Sequence, residues 1–243
     1  MSSLPGSLQR DSPAVIFRQL FDSASSTYSY LLACEDSREA LLIDPVVGKV
    51  DDLCRLLHEL DLRLVLAADT HVHADHITGL GELRERTGCT TVMGEQAQVA
   101  CVSRVVRDGD RLAIGSVELV ARYTPGHTDD SYCFVMDDRV FTGDTLLIRG
   151  SGRCDFQNGD PVAAYHSLFD VLLALPDRTA VYPAHDYRGW TSSTIGEERA
   201  WNPRLQVASA AEYAALMAGL HLPSPAMMDV ALPANRACGR PGS

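Results

Sequence analysis

Thr70-His71-Val72-His73-Ala74-Asp75-His76 places three imidazoles and one carboxylate within seven residues. Neutral imidazole and carboxylate together form the ligand set of a borderline divalent metal. A His-rich turn of this density is uncommon outside metal and proton-transfer sites. Three later segments present the same kinds of side chain singly: His127 on the Pro125-Gly126 turn, Asp144 after Gly143, and His185 after Pro183-Ala184. Each alone is weak, because a lone His is more often a hydrogen-bonded core residue and an Asp after Gly is usually a turn. Together they repeat one device, a strand end that offers a metal-type side chain. The seven residues permit one metal or two, and spacing does not count them. His58, His166 and His221 follow no such pattern and are assigned no function.

The elements that must position these side chains are legible in outline. Ala14 to Phe21, Thr27 to Ala33 and Ala40 to Asp44 are short β-favouring runs, which suggests an antiparallel meander. Val50, Leu53, Leu56, Leu57 and Leu60 recur at helical spacing, with Asp51 and Asp52 suited to the positive end of the helix dipole. The apolar run Leu62 to Ala68 then reads as a buried strand that delivers the His cluster, and Asp75 is expected to begin a helix-like segment through Leu80 and Leu83. Strands are expected again at Thr90 to Met93, Ser116 to Tyr123, Tyr132 to Met136, Val140 to Thr142 and Thr179 to Tyr182. Helices are expected over Ala163 to Ala174 and Ala210 to Met217. Two strand blocks, each followed by helices, fit two sheets packed face to face with helices outside. A single domain over 1–243 is expected, with a short irregular tail from about residue 222, where Pro and Gly accumulate.

Charge and composition narrow the function classes. A net charge of -11 argues against nucleic acid or an anionic membrane as the main partner. An anionic substrate would then need locally placed arginines. No apolar run approaches the roughly 18 residues that span a bilayer, and the polar stretch Met1 to Ser12 does not read as a signal peptide. Seven scattered cysteines, an odd number without a Cys-x-x-Cys pair, read as free thiols in a reducing compartment, so a cytoplasmic location is expected.

The His71-x-His73-x-Asp75-His76 motif, followed in order by His127, Asp144 and His185, resembles the metallo-β-lactamase superfamily. The fold this implies is an α/β class αβ/βα sandwich of two mixed sheets with helices on the outer faces and metal at the sheet edges. Within the superfamily the chain resembles the persulfide dioxygenase group through Gly143-Asp144-Thr145-Leu146-Leu147-Ile148-Arg149-Gly150, Arg153-Cys154-Asp155-Phe156-Gln157 and Glu197-Glu198-Arg199-Ala200-Trp201-Asn202-Pro203-Arg204-Leu205. Departures are modest: the family commonly has Cys where this chain has Val72 and Ser151, and Gly near Asp129-Asp130.

The resemblance implies one Fe(II) per chain, held by His71, His127 and Asp144, with no organic cofactor. His73, Asp75, His76, His185 and Asp186 would then orient the ligands and bound water by hydrogen bonds. The implied reaction converts glutathione persulfide, O2 and water into sulfite and glutathione. Arg149, Arg153 and Arg188, expected on loops beside the site, suit the glutathione carboxylates, and Tyr187 adds a donor. Cys154 is expected near the same pocket. The chain carries no rhodanese-like segment, so a rhodanese-type persulfide supplier is expected to be a separate protein; a homodimer is an expectation from the family alone.

Two other readings compete. A binuclear thioester hydrolase of the glyoxalase II type shares the motif, with His71, His73 and His127 on one ion, Asp75, His76 and His185 on the other, and Asp144 bridging. Such hydrolases usually carry a longer helical carboxyl-terminal domain. A non-catalytic metal-binding protein is hard to sustain while every ligand position is filled.

Overall fold

A computed structural model describes residues 14–220, 222 and 227–240. Met1 to Ser12 and His221, discussed above, lie outside the described residues. The chain opens with the expected meander: β1 (Val15–Asp22), β2 (Thr27–Cys34) and β3 (Glu39–Ile43) pair antiparallel. Helix α1 (Val50–Glu59) then carries the chain back so that β4 (Arg63–Ala68) lies parallel to β3, and α2 (Leu80–Thr87) does the same for β5 (Thr90–Gly94). A parallel neighbour needs such a crossover, whereas an antiparallel one needs only a turn. Strand β6 (Arg104–Val106) completes a six-stranded sheet in sequence order.

The second six-stranded sheet runs β12-β11-β10-β9-β8-β7. It comprises β7 (Arg111–Ile114), β8 (Val117–Tyr123), β9 (Tyr132–Val135), β10 (Arg139–Gly143), β11 (Ala180–Pro183) and β12 (Ser193–Thr194). Its one parallel pair, β10 with β11, is joined by α3 (Pro161–His166), which widens into a π-helical stretch over Ser167–Leu172. Helices α4 (Ile195–Trp201), α5 (Ala210–Ala218) and α6 (Met228–Arg236) follow. Among the described residues no helix is long and apolar enough to cross a membrane.

Strand β2 shows why these layers form. All eight of its residues are buried, so its apolar run serves two faces at once. Tyr30, Leu32 and Cys34 meet Leu119, Ala121, Phe134 and Phe141 of the second sheet, whereas Leu31 and Ala33 meet Leu53, Leu57, Leu80 and Leu83 of α1 and α2. On the far side Val140 and Val181 pack against Leu168, Leu172 and Tyr213. The result is the αβ/βα sandwich expected from the sequence.

Three expectations are corrected. Asp75 does not begin a helix, because the amides that would close its turns are bonded elsewhere: Thr78 N donates to Asn235 Oδ1 at 2.9 Å and Gly79 N to the Pro45 carbonyl at 2.6 Å. Helix α2 starts only at Leu80. The carboxyl-terminal segment is not wholly irregular, since α6 buries Ala231, Ala234 and Asn235 despite an internal Pro233 and packs Leu232 against the cluster that holds Leu80 and Leu83 of α2. The cysteines are not all free. Cys101 and Cys238, 137 residues apart, are joined as a disulfide once α6 folds back, leaving Cys34, Cys54, Cys89, Cys133 and Cys154 as thiols. Cysteine usage therefore no longer assigns a compartment.

Candidate metal centre

The residues nominated by the sequence meet where β4, β8, β10 and β11 end. His71 to His76 occupy the loop between β4 and α2, His127 the loop after β8, Asp144 the residue after β10, and His185 the second residue after β11. Gly143 makes this convergence possible: its φ is +52°, and a Cβ there would fall 2.7 Å from Thr70 Oγ1.

Asp44, just past β3, anchors the His loop from below. It accepts from Thr70 N at 2.7 Å, from Thr70 Oγ1 at 3.0 Å and from His73 Nε2 at 3.1 Å. Val72 N donates to Asp130 at 2.8 Å, and Gln157 Nε2 donates to the Val72 carbonyl at 2.6 Å. From the far end of the chain Asn235 Nδ2 donates to the carbonyls of His73 and His76, each at 2.8 Å. A loop with its backbone held from so many directions presents its side chains in one arrangement.

Each ligand-type ring is also oriented through its other nitrogen, as metal-bound histidines are. His71 Nδ1 lies 3.0 Å from Thr70 Oγ1, whose own hydrogen goes to Asp44, so the ring is the donor. His127 Nδ1 donates to the Arg153 carbonyl at 2.7 Å. That leaves the Nε2 lone pairs of both rings free, and one ligand atom each from His71, His127 and Asp144 lie within 4.8 Å of one another. His127 Nε2 is 3.5 Å from Asp144 Oδ2, while Asp144 Oδ1 is buried without a hydrogen-bond partner. Burial, reinforced by the neighbouring rings, holds the His71 and His73 pKa values well below the usual range, so both rings stay neutral and able to ligate.

A second group, His73, Asp75 and His185, also brings its ligand atoms within 4.8 Å. Its carboxylate is already shared: Asp75 Oδ2 lies 2.9 Å from His76 Nδ1 and 3.3 Å from His185 Nε2. Burial opposes charge on His185, but Asp144 and Asp75 outweigh it and raise its pKa to about 10. The same contacts with His185 and His76 hold Asp75 well below the carboxylate range against the effect of burial.

The family model of the metallo-β-lactamase superfamily matches residues 23–100 and 102–185. The chain belongs to this superfamily. Human mitochondrial persulfide dioxygenase ETHE1 is 46% identical to it over 93% of this chain and 89% of that protein. The crystal structure of ETHE1 from Myxococcus xanthus superposes with a TM-score of 0.91 and 52% identity, covering 93% of this chain and 100% of that one. A probable hydroxyacylglutathione hydrolase of Schizosaccharomyces pombe is 39% identical over 66% of this chain and 64% of that protein.

In this metallo-β-lactamase centre His127 and Asp144 open onto a cavity of about 590 Å³, walled by Arg149, Arg153, Tyr187 and Arg188 among others. The predicted cations differ in what they are free to do. Arg149 is committed to the fold: its guanidinium pairs with the fully buried Glu198 and with Glu197, and stacks over Trp190 at 5.3 Å. Arg153 grips Asp155 at 2.6 Å and lies over the Phe156 ring. Arg188 is exposed at the cavity mouth. Tyr187, 74% exposed, stacks parallel to His185 at 6.1 Å. Asp186 accepts from Arg188 N and Trp190 N, each at 2.7 Å, and shapes the rim. Cys154 sits beside the cavity, its thiol pushed up to about 12 by burial.

Several contributors escaped the sequence reading. Asp44 had a signal, a carboxylate just past a buried strand, but Asp130 and Asn235 had none. The departure at Asp129-Asp130 proves useful to this chain, because Asp130 holds Val72 and Asp129 binds Asn158 at 2.8 Å.

Proposed function

We propose that this chain is an iron-dependent persulfide dioxygenase that converts glutathione persulfide, O2 and water into glutathione and sulfite, with release of two protons. The observation that carries the reading is the cluster of two imidazoles and one carboxylate, His71, His127 and Asp144, opening onto a cavity large enough for a tripeptide. The identity with ETHE1 proteins supports it over nearly the whole chain.

His71, His127 and Asp144 would hold one Fe(II), two imidazoles and one carboxylate being a ligand set suited to non-haem iron. When bound there, iron would supply activation of O2 for reaction with the persulfide. What the protein supplies is position: the Thr70 and Asp44 relay aims His71, the Arg153 carbonyl aims His127, and Gly143 brings Asp144 under the His loop. His185, paired with Asp75, stands 3.8 Å from Asp144 Oδ1 and steadies that carboxylate. Arg188 at the mouth faces the incoming anion.

A second reading, a binuclear thioester hydrolase, is favoured by His73 Nδ1 and His76 Nε2, both buried without a hydrogen-bond partner. Oxygen uptake separates the two. The anaerobically Fe(II)-loaded protein should consume O2 on addition of glutathione persulfide, and a zinc-loaded sample should not. No uptake by a sample that hydrolyses S-lactoylglutathione would establish the hydrolase instead.

A further inference from the structure

His71 is pinned from both sides to the loop that carries His127. Ahead of it, Tyr132 N donates to the Thr70 carbonyl at 2.8 Å; behind it, Val72 N donates to Asp130 Oδ2 at 2.8 Å. Asp130 and His127 belong to the same loop, between β8 and β9. Val72 is gripped at its other end as well, where its carbonyl accepts from Gln157 Nε2 at 2.6 Å. Gln157 follows closely on Arg153, whose carbonyl accepts from His127 Nδ1 at 2.7 Å. The two imidazoles so held stand edge to face, their centroids 5.0 Å apart.

A single tie at Thr70 would leave the His loop free to turn about it. The second tie, on the far side of His71, removes that freedom, and Asp130 supplies it through a side chain. The Asp130 carboxylate is buried, and the groups around it, Thr128, the Val72 amide and Asp129, include no cation. A buried carboxylate without a cation is costly to keep, but one that accepts a backbone N–H makes a bond about twice as strong as a neutral acceptor does. Its neighbour Asp129 is exposed and bonds Asn158 at 2.8 Å, so the two adjacent acids have different tasks. Val72 and Asp130, both departures from the family pattern, are thus in direct contact.

We infer that Asp130 is a positioning residue that sets the spacing of the His71 and His127 imidazoles, and through that spacing the affinity of the centre for its metal and the turnover number. The inference rests on the ligand assignment within the dioxygenase reading and not on the reaction itself. Asp130 is not among the residues that line the cavity, so its loss acts on metal affinity and kcat and leaves KM for glutathione persulfide unchanged.

The test uses the full chain and its Asp130→Ala, Asp130→Asn and Asp129→Ala variants. Exchange of the Val72 amide hydrogen, followed by NMR in the metal-free proteins, reads the bond itself. Protection should fall about 10-fold in Asp130→Ala and stay near the wild-type value in Asp130→Asn, which keeps an acceptor. Chelator competition with Fe(II) and with Zn(II) should show metal affinity about 10- to 100-fold weaker in Asp130→Ala, restored in Asp130→Asn and unchanged in Asp129→Ala. Iron-loaded Asp130→Ala should lose kcat for oxygen uptake while KM holds, and the EPR spectrum of its nitric oxide adduct should broaden where Asp129→Ala keeps the wild-type line. Wild-type metal affinity and nitric oxide spectrum in an Asp130→Ala protein whose Tm has fallen would overturn the inference, since a merely structural residue behaves so. An Asp130→Asn protein as defective as Asp130→Ala would overturn it too. If Asp130→Ala does not fold, Asp130→Leu, which fills the same space without an acceptor, carries the comparison. Failure of the iron-loaded wild type to consume O2 with any persulfide would defeat the dioxygenase reading alone. The Zn(II) affinities then decide Asp130, with weakening in Asp130→Ala and recovery in Asp130→Asn supporting it and equal affinities refuting it.

Discussion

Asn235 Nδ2 lies 2.8 Å from the main-chain carbonyl of His73, a residue 162 positions earlier in the chain. The same amide group reaches His76 O, and its oxygen accepts from Thr78 N. One buried side chain on the last helix thus satisfies three backbone groups of the loop that carries four of the candidate ligand residues. Asn235→Ala should leave those groups unsatisfied, destabilise the protein by about 2–4 kcal/mol and weaken iron binding about 10- to 100-fold. Iron titration and denaturant melts of the variant check both numbers.

The disulfide between Cys101 and Cys238 clamps the end of the same helix. Because it closes a loop of more than a hundred residues, chain entropy places its contribution at about 4–5 kcal/mol. Reduction, or Cys238→Ser, should lower Tm and also loosen iron. The pairing itself is checked by thiol titration of the denatured, unreduced protein, which should yield five reactive thiols from seven cysteines.

Removal of a proposed ligand should separate metal from fold. Asp144→Ala and His127→Ala are expected to lose iron and oxygen uptake while retaining the wild-type circular dichroism. An iron-replete, fully active Asp144→Ala protein would contradict the ligand assignment.

Arg149 and Arg188 should behave oppositely although both line the cavity. Arg149→Ala strands the fully buried Glu198 carboxylate, so a loss of about 3–5 kcal/mol in stability is expected. Arg188→Ala, at the exposed mouth, should leave the melting curve unchanged and raise KM a few-fold at low salt.

Stability should fall in alkaline solution. Burial raises the Cys133 thiol from 9.0 to about 11, so between these values the unfolded chain releases a proton that the folded chain retains. The contribution is fully present below pH 9 and is lost as pH rises through 11, amounting to about 1.4 kcal/mol at pH 10. Denaturant melts at pH 8 and pH 10 should show this loss, and Cys133→Ala should show correspondingly less of it. Tyr213, raised to about 12 by burial, adds to the same trend at higher pH.

How much of this was legible in the chain depends on how local each feature is. The β-favouring run of β2, the helical spacing of Leu53 and Leu57, and the His71 to His76 motif are decided by neighbours within a few residues, so the sequence alone determined the strand meander, the sandwich class and the candidate ligands. Polar residues at four strand ends were sufficient to nominate His127, Asp144 and His185 as companions of that motif.

Tertiary structure decided what depends on distant partners. Whether Asp75 continues a helix was settled by Asn235 and Pro45, which take the amides a helix would need. Which partner Arg149 meets within the fold was settled by Glu198, 49 residues away, whose carboxylate it bonds. Whether Cys101 is a free thiol was settled by α6, which brings Cys238 beside it. Residue type and spacing state which bonds a side chain is able to make; only the fold brings up the partner that claims them, because hydrogen bonds and ion pairs saturate with the group that arrives in the right geometry.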